Sequence, residues 1–487
     1  MLFNSFHFFV FFPVVTAVYF LLPHRLRWAW LLVASCYFYM AFIPIYILIL
    51  FFTIGVDYVS GIAIESATGR KRKLYLTCSI LANVGVLAMF KYFNFLNNNI
   101  SAFFHGLGWS YPVPNLSLLL PIGLSFHTFQ SLSYTIEVYR GRHAAERHLG
   151  IFALYVMFYP QLVAGPIERP QNLLDQFRAE HVFDYRRVTD GLKLMAWGFF
   201  KKLVIADRLA VVANQVYANP EAYDGVALLT GTLCFTYQIY CDFSGYSDIA
   251  IGSAQVMGFK LMTNFAQPYF SASIPEFWRR WHISLSTWFR DYLYIPIGGN
   301  RVPRWRLVLN IMVVFAVSGM WHGANWTFFL WGAIHGICLL LTPLVGSAFL
   351  KVERAARLDR VRWAGQGLRI LTTFSVVAFA WIFFRANTPE DAFMIVMRIF
   401  QTLPPIGQGW YDAIRNGIAS VDLPVIVPAI AAIMIMEVMQ VFQRRGSVRQ
   451  WFAGRPVWFR WAAYYAVVGS ILIFGQFGAQ QFIYFQF

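Results

Sequence analysis

The chain is built from repeated runs of roughly 20 apolar residues, the length an α-helix needs to cross about 30 Å of hydrocarbon. Lipid cannot hydrate a peptide group, so each such run must close its backbone hydrogen bonds within itself, as a helix does. Spans are expected near 3–22, 27–43, 44–64, 74–96, 117–138, 190–217, 225–257, 305–320, 325–349, 368–385, 421–442 and 457–475. The expected class is an all-α polytopic membrane protein: one integral domain over 1–487 with about 12 spans. A further apolar stretch at 148–164, stopped by Pro166, reads as re-entrant. Residues 389–400, from Pro389-Glu390-Asp391 through Ala392, Phe393, Ile395, Val396, Ile399 and Phe400, have helical apolar spacing and read as a helix on the membrane surface. The first span has neither a basic region before it nor a small-residue cleavage site after it, so it reads as a retained helix rather than a signal peptide.

Charge supplies the orientation. Lysine and arginine number 39 against 23 aspartates and glutamates, a formal net charge of +16. In a soluble chain this excess would suggest nucleic acid; here the basic residues sit in short clusters between apolar runs, where retention of positive loops in the cytoplasm accounts for them, and no nucleic-acid partner is expected. Arg25 and Arg27, Arg70–Lys73, and Arg140, Arg142 and Arg147 fall on one side if the spans alternate, whereas 98–116 and 218–226 carry no lysine or arginine. The scheme places 258–304, 351–369 and Arg444–Arg455 in the cytoplasm, and 386–420 with both termini outside. The five cysteines form no C-x-x-C pair, so neither a disulfide framework nor a zinc site is indicated, and no metal is expected.

An ionisable group in hydrocarbon costs about 2.5–3.5 kcal/mol on insertion scales, which makes those that persist candidates for function. His127, His282, His322 and His335 lie in or against apolar segments. Within 276–301, helical spacing would put Trp278, His282, Leu285 and Phe289 on one face and Arg279, Ser286 and Arg290 on another. His322 lies among Ser318, Gly319, Gly323 and Ala324, small residues that permit close backbone approach and leave room for a substrate. The plainer readings are helix-to-helix hydrogen bonding for His127 and His335, aromatic packing for the tryptophans and positive-inside retention for the arginines. Asp242 and Asp248, in an unusually polar patch for a span, suit structural hydrogen bonding as well as catalysis. No phosphate-binding loop, H-E-x-x-H helix or dinucleotide fingerprint occurs.

Phe277-Trp278-Arg279-Arg280-Trp281-His282-Ile283-Ser284-Leu285-Ser286, Ile295-Pro296-Ile297-Gly298-Gly299-Asn300-Arg301 and Trp321-His322-Gly323-Ala324-Asn325-Trp326-Thr327 resemble the membrane-bound O-acyltransferase family, in its alginate O-acetyltransferase branch. Pro160–Ile167, Asp242–Asp248 and the closing Phe482–Phe487 support the resemblance, which covers nearly the whole chain. It implies a ring of tilted helices around a thin central partition with re-entrant segments, in the bacterial inner membrane. It also implies that His322 is the essential histidine and His282 the second active-site residue, a position held by asparagine or aspartate in many eukaryotic relatives. Trp278, Trp281, Arg279, Arg290, Asn325, Trp321 and Ser318 are the accompanying candidates for substrate binding.

The resemblance further implies acetyl transfer from a cytoplasmic thioester such as acetyl-CoA, with no tightly bound cofactor, to an extracellular or periplasmic polysaccharide. A periplasmic acetyltransferase subunit would relay the group, and membrane lipid is the other expected partner. The residues fit this chemistry on their own terms: a hydroxyl is a weak nucleophile that needs a positioned base, for which His322 is the candidate unless its ring itself carries the acetyl group briefly, while His282 orients the donor or hydrogen-bonds it or the oxyanion. Two other readings stand beside it: D-alanyl or other acyl transfer to a cell-wall polymer, and a proton-coupled transporter, against which the lack of paired repeats argues. The topology is directly testable. With the native cysteines replaced, a cysteine at Asn115 or Asp224 should react with an impermeant thiol reagent outside intact cells and one at Lys71 should not; the opposite pattern inverts the two sides.

Overall fold

The computed structural model describes residues 1–163, 165–355, 362–402, 423–444, 446, 448–477 and 482–483, and among these every regular element is helical. The all-α polytopic architecture expected from the sequence is present. Among the described residues, seven helices are long and apolar enough to cross a membrane: Pro44–Ser66, Gly69–Gly106, Arg304–His322, Trp326–Phe349, Trp363–Arg385, Pro424–Gln443 and Val457–Phe474. The expected spans at 3–22 and 27–43 are the helices Phe6–Leu21 and His24–Met40. The segment 386–420, expected outside, is described only as far as residue 402, and residues 356–361 of the basic stretch and Tyr484–Phe487 of the closing motif lie outside the described residues.

The chain packs as two compact units, one of residues 1–195 and 247–263, the other of 196–246 and 264–487. In the first, Asp57 on the Ile47–Ser66 helix is fully buried. Its carboxylate accepts from the Ser79 hydroxyl at 2.6 Å and the Asn83 amide at 2.9 Å, both on the Gly69–Leu87 helix. Side-chain hydrogen bonds of this kind join helices where apolar contact alone distinguishes poorly between protein and lipid. The 148–164 stretch forms the helix Leu149–Met157 and the single turn Tyr159–Leu162, each too short to span. The Tyr155 carbonyl accepts from Gln130 at 2.5 Å and Gln161 at 2.8 Å, so irregular backbone here is satisfied inside protein, the condition a re-entrant segment must meet.

Both histidine motifs lie in the second unit. The Arg304–His322 helix crosses the Trp326–Ala355 helix at two glycines. A Cβ on Gly319 would stand 2.2 Å from the Phe328 carbonyl oxygen, and one on Gly332 would stand 2.3 Å from that of Phe315. Gly323 is equally committed, a Cβ there lying 2.0 Å from the Phe328 ring. The space beside His322 that the small residues were expected to leave for substrate is therefore taken up by helix crossing and by Phe328. Gly319→Ala should separate these helices and cost roughly 1–3 kcal/mol, as overpacking does. Thermal unfolding of the detergent-solubilised variant tests this, and an unchanged midpoint contradicts the crossing.

Candidate active site

Trp278 and His282 do not share a helical face. The Ile274–Arg280 helix ends, Trp281 is extended, and His282 takes the left-handed conformation (φ 41°, ψ 56°) before a second helix, Ile283–Phe289. Left-handed backbone costs a residue with a Cβ roughly 1–2 kcal/mol, so something must hold it there. Asn264 does. Its backbone carbonyl accepts from the Ile283 amide at 2.9 Å. Its side-chain Oδ1 accepts from the Ser284 amide at 3.3 Å and hydroxyl at 2.9 Å, and lies 3.1 Å from His282 Nδ1. A backbone N–H can only donate, which identifies that Asn264 atom as oxygen. His282 Nδ1 must then carry the proton, leaving Nε2 as the acceptor of a neutral ring. Such a nitrogen suits an N–H or O–H of a substrate better than it suits an oxyanion, the other role expected for it. Asn264 escaped the sequence reading because a lone asparagine 18 residues upstream carries no local signal.

The two histidines meet at one tryptophan. The Trp321 ring is 6.1 Å from that of His282 and 4.9 Å from that of His322. His282 is otherwise edge-on to Phe243 at 4.6 Å, and His322 sits between Trp331 at 5.0 Å and Phe384 at 5.2 Å. Both histidines are buried. His322 is the last residue of the helix that begins at Arg304. At 1.5 Å per residue these positions are about 27 Å apart along the axis, close to the hydrocarbon thickness.

The remaining candidates disperse. Trp281 is a packing residue, its ring 5.1 Å from both Phe265 and Trp381. Trp278 packs against Phe315 and lies 4.9 Å from His335. Ser318 is buried one helical turn before His322. Asn325 caps the following helix, accepting from the Thr327 amide and donating to the Asn387 carbonyl. Arg279 is exposed, and Arg290 is exposed and paired with Asp291. The arginines that line a cavity here are Arg280 and Arg444, around a space of about 510 Å³ with Ala266, Gln267, Phe270, Glu276, Gln366 and Gln443. Gly298 and Gly299 take positive φ in a turn whose Gly299 carbonyl accepts from Asn310, a structural use of that motif. Neither ring nitrogen of His127 or of His335 has a hydrogen-bond partner among the described residues; His335 is enclosed by rings instead. No group of histidine, cysteine and acidic side chains among the described residues is arranged to hold a metal.

Residues 143–379 match the model of the membrane-bound O-acyltransferase family. The probable alginate O-acetylase AlgI of Azotobacter vinelandii is 42% identical over 80% of this chain and 76% of its own length. The chain belongs to that family. It is a multi-pass membrane acyltransferase of the alginate O-acetylase type, which sets the transporter reading aside. The peptidoglycan O-acetyltransferase of Helicobacter pylori is 33% identical over 75% of this chain and 72% of its own. The teichoic acid D-alanyltransferase of Streptococcus thermophilus is 29% identical over 57% and 68%. Within this acyltransferase, Asn264→Ala should lower turnover roughly a hundredfold, the scale expected when a reacting group is misplaced, with Asn264→Asp milder because its carboxylate still accepts from Nδ1. Rate measurements on purified variants decide it; equal losses for the two would remove the orienting role.

Proposed function

We infer that this acyltransferase moves an acetyl group from a cytoplasmic acetyl thioester, of the acetyl-CoA kind, to a hydroxyl on the far side of the inner membrane, for O-acetylation of a polysaccharide of the alginate class. The observation that carries the reading is the placing of His282 and His322 on one tryptophan, with His322 at the helix end remote from Arg304. His322 takes the hydroxyl proton as the oxygen attacks the thioester carbonyl. When the tetrahedral intermediate collapses, the C–S bond breaks and the imidazolium returns that proton to the departing thiolate, so the histidine ends as it began. His282, its tautomer fixed by Asn264, accepts a hydrogen bond through Nε2 from an N–H or O–H of the substrate and holds the acyl group in line. The cavity with Arg280 and Arg444 lies on the cytoplasmic face in the positive-inside scheme, where a donor's phosphates would be met.

The acyl acceptor in this reading is a periplasmic acetyltransferase subunit that passes the group to polymer. The Pro389–Thr402 helix supports it. Ala392, Ile395 and Ile399 are buried, and Arg398 donates to the carbonyl oxygens of Glu221 and Tyr223, fixing one face. The other face leaves Phe393, Met397 and Phe400 exposed, a stripe at helical spacing that a partner or the membrane surface would cover.

Reconstitution in proteoliposomes loaded with acetyl-CoA tests the whole reading. Acetylation of oligomannuronate outside should need the partner subunit, and His322→Ala, inserted normally, should lose about a hundredfold to ten-thousandfold of it. Near-normal transfer by that variant removes the base. Polymer acetylation without the partner makes this chain the terminal transferase, and turnover only with a D-alanyl thioester moves it to the cell-wall branch.

A further inference from the structure

The least economical feature of the second unit is a group of charged side chains far from water. Lys202 has no exposed surface, and its ammonium lies 2.8 Å from Asp207 Oδ1 and 2.8 Å from Asp242 Oδ1, both carboxylates being almost fully buried. Lys201, also buried, donates to the Ser244 hydroxyl at 2.9 Å. Two lysines and two aspartates thus balance in formal charge. None of them contacts His282 or His322 in the hydrogen bonds described, so the acyl-transfer steps do not account for them.

Their arrangement is built by the backbone. Residues five apart on an α-helix point about 140° apart and cannot pair. Between the Tyr185–Phe199 and Asp207–Ala218 helices the chain winds as a π turn, Phe200–Ala206, whose wider spiral brings residues five apart onto one side, Lys202 beneath Asp207. Asp242 arrives on the Gly225–Met257 helix because Gly245 lets it approach: a Cβ there would stand 2.8 Å from the Gly198 carbonyl oxygen and 3.2 Å from the Lys202 backbone nitrogen.

The second oxygen of Asp242 has a different task. It accepts from the amide of Ile483 at 2.9 Å, a residue from the far end of the sequence. Phe482 beside it packs 4.5 Å from the ring of Tyr246, which also faces the Lys202 ammonium at 5.3 Å, and 5.7 Å from the ring of Phe243. Phe243 is the ring set edge-on to His282. Upstream, the Gln476 amide donates to the Leu203 carbonyl, so this part of the chain also meets the π turn directly.

We propose that Lys202, Asp207 and Asp242 form a charge latch that fastens Phe482–Ile483 to the Gly225–Met257 helix, and that the fastened segment sets Phe243 and, through it, the His282 ring. All three are positioning residues. The proposal rests on the reading of His282 as an active-site residue, but the latch itself can be observed without it. Buried cation and carboxylates hold the Phe482–Ile483 segment in place; removing the cation leaves two like charges facing each other, and the Asp242 carboxylate loses its fixed direction.

The test pairs two readouts on the purified full chain in detergent. Carboxypeptidase digestion followed by intact mass reports the tail: the unaltered chain should resist trimming at Ile483, Lys202→Met should be trimmed beyond Phe482, and Lys202→Arg, whose guanidinium can bridge both carboxylates, should resist again. Steady-state rates report the site: Lys202→Met should lose roughly ten- to a hundredfold in kcat with donor KM nearly unchanged, and Lys202→Arg should recover most of it. If Lys202→Met does not insert, Phe482→Ala leaves every charge in place and should give the same fall in kcat. A tail equally protected in Lys202→Met, or normal kcat once it is released, overturns the latch. Release with the expected fall in kcat, but full activity in His282→Ala, keeps the latch and overturns only its target.

Discussion

Hydrocarbon offers no hydrogen bonds, so a polar group placed there is costly unless another part of the protein answers it. Four features of the fold answer that demand. Asp57 is met by Ser79 and Asn83, the Tyr155 carbonyl by two glutamines, Lys202 by two aspartates, and the broken backbone at His282 by Asn264. Such groups are costly to leave alone and directional when paired, so they fix which helices meet and in what register, a specificity that apolar side chains facing lipid cannot supply.

The active-site region uses the same demand in reverse. His282 and His322 are buried among aromatic rings. In the proposed mechanism His322 is the base that takes a proton from a hydroxyl, and the Trp321 ring lies between it and His282. The glycines nearby serve this indirectly: by letting two helices cross at backbone contact they bring Trp331 onto His322, instead of opening a pocket there.

The left-handed His282 shows how a candidate active-site group is aimed in such a setting. On a continuous helix its ring would follow Trp278 around the same face. The break turns it instead toward Phe243 and Trp321, and the hydrogen bonds of Asn264 meet the cost of the break and settle the tautomer together. Sites of this kind are expected where sequence periodicity misleads, because local preference is overridden for function.

What the sequence determined by itself was whatever depends on composition and spacing along the chain: the helical class, the seven long apolar helices among the described residues, the helix from Pro389, and the two histidine motifs. Hydropathy and positive charge act within one span or loop, so a single sequence displays them. Tertiary structure decided the rest. Asn264, Lys202 and Ile483 acquire their roles from partners 18, 40 and 241 residues away (Asp242 in the last two cases), and Trp281 and Trp321, alike in sequence setting, divide into a core ring and a ring between two histidines only once distant helices have packed. Side-chain contact falls away within a few ångströms and is indifferent to chain separation, which is why no local pattern could have announced them.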